Sequence, residues 1–337
     1  MNIEIISTRN IKLKETGFGS LFACEDVSAS LINIGHSVLL TVCETLDDLA
    51  RVVSRKPDLL VLAAKYMPID GENDVWFSEY FEQHHIICSG SDRETLRYDS
   101  NKVSAKARLA SLGIKTAKHF MAIPGQYRIE EDLPFSFPLF LKPMDAANGN
   151  GIDDHSFVES FAEFELKVMS LYGQYQQPVL VEEYLAGKEY TVAVIKSSLD
   201  KMTVSAIEII PPVSSNGLRI LGAIVKTSDS EMLQEIEVND IGAVKALAAA
   251  AFVGLGVRGF GRIDIKMDAQ GLCYFMEANL VPGMNHGTSY FPRACEIANQ
   301  MPYDEVICMM LDECVARASL DKALSPLVKP HALSCAV

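Results

Sequence analysis

The segment Gly259-Phe260-Gly261-Arg262-Ile263-Asp264, followed by Glu277-Ala278-Asn279 and Pro282-Gly283-Met284, constrains this chain more than any other. Its alternation predicts two adjacent strands, over residues 262–267 and 274–277, with Asp268-Ala269-Gln270-Gly271 as the turn between them. In such a hairpin Asp264, Glu277 and Asn279 converge where the strands end, flanked by the cations Arg262 and Lys266. Three hard oxygen donors of this kind suit Mg²⁺, which takes few carboxylates and completes its octahedron with phosphates and water. The plain alternative is a surface hairpin with solvated acids, and the rest of the chain has to decide between them.

A chain of 337 residues exceeds one average core, so two or three subdomains are expected. Its 49% hydrophobic and 22% charged residues describe an ordinary globular protein. A net charge of −14 argues against nucleic acid or an anionic membrane surface as main partner. It leaves room for an anionic ligand in a local basic pocket. The eight cysteines show no C-x-x-C and no His at zinc spacing, so they read as reduced thiols. The chain opens on Asn2-Ile3-Glu4-Ile5-Ile6, a strand rather than a signal peptide, and its longest apolar run, 246–257, is too short to span a bilayer. A cytoplasmic location is the expectation.

Residues 1–95 alternate strand-like runs (3–6 and 59–63) with segments of helical spacing (26–34 and 46–53). Continuous apolar strands of this kind belong to a parallel sheet covered on both faces. A glycine-bearing loop, Glu15-Thr16-Gly17-Phe18-Gly19-Ser20, precedes the first helix. A helix over 102–112 stops at Gly113, and an irregular stretch leads to a strand at 139–142. A polar loop over 145–151, a helix over 160–171 and a strand over 179–182 follow. Strands are then expected at 190–195 and 203–209, an Ala-rich helix at 241–255, the hairpin, and a terminal helix at 303–317. The tail from Ser319 has no periodicity and reads as mobile.

Lys142 ends an apolar strand and opens the loop containing Asn148-Gly149-Asn150-Gly151. Small residues beside a lysine can fold over a polyphosphate with their N–H groups as donors. G-x-x-x-x-G-K-[ST] is absent, so this is not a P-loop. Val181-Glu182-Glu183-Tyr184-Leu185 and Gly187-Lys188-Glu189-Tyr190 form a strand, a turn and a strand. The exposed backbone of such a linker can read a base edge, and an acid beyond it can accept ribose hydroxyls.

In order along the chain, Lys102, Lys142 within F-x-K-P, the 182–185 linker, Glu189, Arg262-x-Asp264, Glu277-x-Asn279 and Pro282-Gly283-Met284 resemble the ATP-grasp superfamily. The resemblance is closest to D-alanine–D-alanine ligases and covers nearly the whole chain. It implies an α/β (α+β) ATP-grasp fold: an N-terminal parallel-sheet βα domain (1–95), a small central subdomain (96–188), a larger C-terminal subdomain with the metal hairpin (189–318), and a flexible tail (319–337). The activity it implies is an ATP-dependent carboxylate–amine ligase that joins two amino acids through an acyl phosphate. By the same resemblance Lys102 and Lys142 hold the ATP phosphates beneath the loop of Asn148 and Gly149. Glu182, Glu183, Tyr184 and Leu185 line the adenine site, and Glu189 binds ribose. Lys226 matches the lysine that closes over the γ-phosphate. Asp264, Glu277 and Asn279 hold two Mg²⁺ ions, with Mn²⁺ as a possible substitute. Arg262 and the Gly283 N–H meet the oxyanion formed by amine attack, and a homodimer is the implied assembly.

The substrate side departs from the family pattern. The glutamate expected before V-S, which binds the first substrate's ammonium, is here Asp26 in Glu25-Asp26-Val27-Ser28. H-G-x-x-G-E-D-G is replaced by Lys65-Tyr66-Met67-Pro68-Ile69-Asp70-Gly71-Glu72-Asn73-Asp74. S-H-S after P-G-M becomes Asn285-His286-Gly287-Thr288-Ser289-Tyr290, with Ser289 the substitute for the serine holding the second carboxylate. Substrates other than two D-alanines therefore stay open. So do a carboxylate kinase that stops at the acyl phosphate and a non-catalytic nucleotide-binding module.

Overall fold

The structure, a computed structural model, describes residues 1–9, 17–69, 73–144, 149–198, 201–214 and 216–324. The expectations for Glu15, Thr16, residues 70–72, Asn148 and the tail beyond 324 lie outside them.

Three strands, β1 (Asn2–Ser7), β2 (Ser37–Val42) and β3 (Leu59–Leu62), form a parallel sheet in the order β2-β1-β3. Both faces are covered, which is why β1 and β3 read as unbroken apolar runs. Ile3, Ile5, Leu59 and Val61 pack with helix α1 (Leu21–Asn33). Ile6, Leu60 and Leu62 face helix α2 (Leu46–Arg55). A two-residue pairing, β4 (Tyr66–Met67) with β5 (Val75–Trp76), leads into α3 (Phe77–Gln83), α4 (Arg93–Ser100) and α5 (Lys102–Ser111).

Helix α1 begins at Leu21, five residues before the start read from spacing. Ser20 caps it by accepting the Ala23 N–H, while Phe22, 75% exposed, interrupts the apolar periodicity. The expected irregular stretch after Gly113 contains a strand, β6 (His119–Ala122). With β7 (Leu139–Pro143), β8 (Phe157–Val158) and β9 (Val179–Glu183) it builds an antiparallel sheet in the order β6-β9-β7-β8. Helix α6 (Phe161–Tyr175) lays Phe164, Val168 and Leu171 on this sheet, giving it a core of its own.

The third sheet has the order β12-β11-β10-β13-β14. Its first strands are β10 (Glu189–Lys196) and β11 (Met202–Ile210); then come the short helix α7 (Ala223–Ser228) and edge strand β12 (Met232–Glu235). Helix α8 (Val238–Gly254), the hairpin β13 (Phe260–Met267) and β14 (Cys273–Asn279), α9 (Tyr290–Asn299) and α10 (Tyr303–Leu324) complete the chain. The terminal helix runs seven residues past the predicted stop at 317, because nothing in 318–324 breaks a helix before Pro326. The largest core joins this sheet, α8, α9 and α10 to the α1 face of the N-terminal sheet. Ala105 and Leu109 of α5 belong to it as well, so that helix packs with the C-terminal sheet rather than with the central one.

Among the described residues all seven cysteines are free thiols, and no helix is long and apolar enough to cross a membrane.

Candidate active site

Along β13 buried and half-buried residues alternate, so Ile263, Ile265 and Met267 enter the core while Arg262, Asp264 and Lys266 share the other face. Strand β10 adds partners in register: Thr191 opposite Asp264 and Glu189 opposite Lys266. The Thr191 hydroxyl donates to Asp264 Oδ1 at 2.7 Å, and Lys266 pairs with Glu189 at 2.9 Å. On the other side Asp264 lies opposite Glu277, and Arg262 opposite Asn279.

The ladder shifts register between Asp264 and Ile265, leaving Met276 as an extra residue on β14. Neighbours on a regular strand point to opposite faces, yet Met276 and Glu277 both line the same cleft. The bulge is what turns Glu277 toward Asp264.

Both carboxylates are held by cations. Arg262 donates to both oxygens of Asp264 at 3.0 Å, Asn279 Nδ2 donates to Asp264 Oδ2 at 3.2 Å, and Lys102 lies 3.3 Å from Glu277. Burial alone would raise the Glu277 pKa, but Lys102, Lys226, Lys142 and Arg262 together hold it well below the usual carboxylate range. Two facing carboxylates beside an amide oxygen suit a hard divalent cation. Among the described residues no group of three or more His, Cys, Asp or Glu side chains could hold a metal ion, so phosphate or water must complete any sphere here.

Beneath the cleft, Glu182 on β9 is 1% exposed and takes Lys142 at 2.7 Å and Lys106 at 2.8 Å. One carboxylate thus serves two buried ammonium groups. Burial would raise the Glu182 pKa, but the two lysines outweigh it and bring it down to about 2. Burial pulls Lys106 down in turn, since it has only a share of one counter-charge. Lys106 was not singled out in the sequence, although it lies one turn after Lys102 on α5 and so on the same face. At the end of β9 the Glu183 carboxylate accepts the Lys118 N–H at 2.8 Å, and the Tyr184 ring packs edge-on against Phe157 at 4.6 Å.

Two clefts result. The first is walled by Lys142, Tyr184, Leu185, Glu189 and Gly149, and the second by Lys65, Asp99, Gly283, Ser289 and Tyr290. They meet at Lys102, Lys226 and Glu277, which line both. Gly149, with φ +72, lies so close to the backbone of Leu221–Ala223 that a Cβ there would come within 3.0 Å of the Gly222 carbonyl carbon. Gly222 in turn leaves only 2.5 Å between such a Cβ and the Ile152 carbonyl oxygen. The loop after β7 and the segment carrying Lys226 are therefore locked backbone to backbone.

Gly283 abuts Ser289, whose Oγ accepts the Asn285 N–H at 2.9 Å. Tyr290 stacks beneath Arg262 (5.5 Å to the ring centroid) and Lys226 (5.9 Å), and its hydroxyl donates to Glu231. Burial and that hydrogen bond push the Tyr290 hydroxyl far above its ordinary range, so it stays a donor. Asp26 does not line either cleft. It accepts the His286 N–H at 3.0 Å and borders a separate depression with Tyr303. Thr191, Lys106, Lys65–Asp99 and Tyr290–Glu231 are the site features that sequence reading missed. Of these, Lys106, one turn after Lys102, and Tyr290, directly after Ser289, had a local signal.

The family model described as D-ala D-ala ligase C-terminus matches residues 110–312. The D-alanine–D-alanine ligase of Actinobacillus pleuropneumoniae serotype 5b (strain L20) is 27% identical over 257 residues, covering 72% of this chain and 76% of that protein. D-alanine–D-alanine ligase B of Pseudomonas putida (strain KT2440) is 25% identical, with 80% of each chain covered. Among solved structures, the Bacillus anthracis D-alanine–D-alanine ligase complexed with ATP superposes with a TM-score of 0.73 at 19% identity, over 95% of this chain and 99% of that one. The VanG D-Ala:D-Ser ligase of Enterococcus faecalis gives 0.69 at 18%, over 93% and 99%. The mixed α/β architecture is that of the ATP-grasp fold expected from the resemblance. With more than half of its residues matched by the family model, the chain belongs to the D-alanine–D-alanine ligase family.

Proposed function

We propose that this chain activates the carboxylate of one amino acid with ATP and joins it to the amine of a second, through an acyl phosphate. One observation carries the reading: a cleft suited to a nucleotide and a polar cleft suited to amino acids share Lys102, Lys226 and Glu277. That junction is where a γ-phosphate and a carboxylate have to meet.

In this reading Tyr184 and Leu185 receive the adenine, Glu189 the ribose, and Lys142 and Lys102 the phosphates. Asp264, Glu277 and Asn279 would hold two Mg²⁺ ions, which supply charge neutralisation between the phosphate oxygens when bound. The donor carboxylate oxygen attacks the γ-phosphorus, the new O–P bond replaces the bond to ADP, and Lys226 and Lys102 offset the gathered charge. The neutral acceptor amine then attacks the acyl carbon. The tetrahedral oxygen receives donors from Arg262 and the Gly283 N–H, and collapse expels phosphate while the amine nitrogen gives up its proton. Ser289 is the partner for the acceptor's carboxylate. A cytoplasmic homodimer is the setting we propose for it.

Phosphate release from ATP and Mg²⁺ across D- and L-amino acids, singly and in pairs with mass detection of products, tests the reading. Release only when a donor acid and an acceptor amine are both present, with a dipeptide formed, is the expected result. Release driven by D-alanine alone, giving its dipeptide, would assign the same substrates as the relatives' names. Another productive pair would assign a specialised ligase, and release with a single acid and no amide product would favour a carboxylate kinase.

The backbone lock yields a further expectation. Gly222→Ala forces a methyl group against the Ile152 carbonyl, an overpacking of about 1–2 kcal/mol that predicts a roughly 5- to 30-fold loss of kcat/KM for ATP. ADP release at saturating amino acid measures it; unchanged kinetics would mean that the contact plays no part in turnover.

A further inference from the structure

Asp26, the acid expected to bind a substrate ammonium, is engaged with a backbone N–H outside the amino-acid cleft. Other described carboxylates in that cleft are committed as well. Asp99 holds Lys65 and accepts the Leu280 and Val281 N–H groups, and Glu277 faces Lys102 and the proposed metal position. Asp229 is exposed, where an ion pair is screened by water.

Glu231 differs from all of these. It sits between α7 and β12 on the cleft wall, and the Tyr290 hydroxyl fixes one of its oxygens. Its Oε2 is enclosed and has no hydrogen-bond partner among the described residues. A carboxylate with one oxygen fixed and one free is a preorganised acceptor for a charged donor. Tyr290 itself is 9% exposed and lies under Arg262 and Lys226, which places Glu231 one ring away from the groups that face the reacting carboxylate.

We infer that Glu231 binds the ammonium group of the amino acid whose carboxylate is activated, with Tyr290 as the positioning residue that aims it. The inference rests on the ligase reading above. The donor is assigned rather than the acceptor because the acceptor nitrogen has to lose its positive charge before it can attack. The donor keeps its ammonium throughout, so only there does a standing salt bridge assist both steps.

The test compares wild type, Glu231→Gln and Tyr290→Phe by ADP release. It uses the donor identified in the amino-acid panel and its deamino analogue as competitor, D-alanine and propionate in the simplest case. Glu231→Gln is expected to raise the donor KM about 10- to 100-fold, the value of a lost charge-assisted hydrogen bond. The propionate inhibition constant and the KM for ATP stay within about twofold, since neither ligand carries an ammonium group. Tyr290→Phe gives a smaller rise of the same kind. A parallel rise in donor KM and propionate inhibition constant would reveal a merely structural role and overturn the inference, as would an unchanged donor KM. Absence of ADP release by wild type with every pair would instead overturn the ligase reading on which it stands.

Discussion

Glu277→Gln is expected to lower kcat by about a thousandfold or more, in the range of losing a metal or a preorganised charge at a phosphoryl-transfer centre. The folded state should tolerate the change, because the amide keeps the shape and the Lys102 contact is a single 3.3 Å pair. Chemistry should not. Glu277 is the anion around which Lys102, Lys226, Lys142 and Arg262 gather, and it is one of two carboxylates facing the proposed metal position. With its charge removed, those cations lose their counter-charge and compete with any divalent ion for Asp264. Nucleotide affinity in EDTA is therefore expected to hold or rise while Mg²⁺-dependent turnover collapses. ADP release over a Mg²⁺ titration, beside metal-free ADP binding, checks both halves. A kcat within tenfold of wild type would move the metal site away from the hairpin.

Glu182→Gln is expected to destabilise the fold by about 3–5 kcal/mol, because it strands two buried ammonium groups without a carboxylate. Lys106 is wholly buried and Lys142 only 5% exposed, so neither can swing into water. Lys106→Met is expected to cost less, since it leaves Glu182 and Lys142 as a matched pair. Urea unfolding of the two variants separates these cases, and equal losses would argue against the shared carboxylate as the cause. The pH dependence has a definite sign. Folding depresses the Glu182 pKa from an ordinary 4.5 to about 2, so its contribution is complete above 4.5 and is lost as the pH falls toward 2. The variant should show a flatter stability curve in that window.

How much of this was readable beforehand depended on whether the determinant was local. The alternation in Arg262-Ile263-Asp264-Ile265-Lys266 displays the cleft face of β13 directly, because the strand period is two and one face is buried. The two-sided burial of β1 and β3 was equally plain, as was the hairpin turn, where Asp268 accepts the Gln270 and Leu272 N–H groups. The start of α1 was obscured by one exposed phenylalanine. Thr191 and Glu231 belong to the site only through partners remote in the chain, Asp264 and Tyr290, and no local pattern announces such contacts, whereas Lys106 follows Lys102 by one turn of α5. Asp26 shows the converse. A carboxylate at a suggestive position in the chain was captured by the backbone of the altered 285–290 loop.

The extra residue at Met276 carries a consequence for what changes in length this hairpin can accept. Additions at the Asp268–Gly271 turn only lengthen the hairpin's free end, leaving the pairing of Asp264 with Glu277 untouched. Adding one residue to β13 between Asp264 and Ile265 would instead give Met276 a partner and heal the ladder, and, counted from the Ile265–Phe275 pair, Asp264 and Glu277 would then both turn toward the core. The chain would keep its fold, its glycine turn and every acidic residue, yet the two carboxylates would point the wrong way. Drift in length is thus free at one end of the hairpin and forbidden a few residues further on.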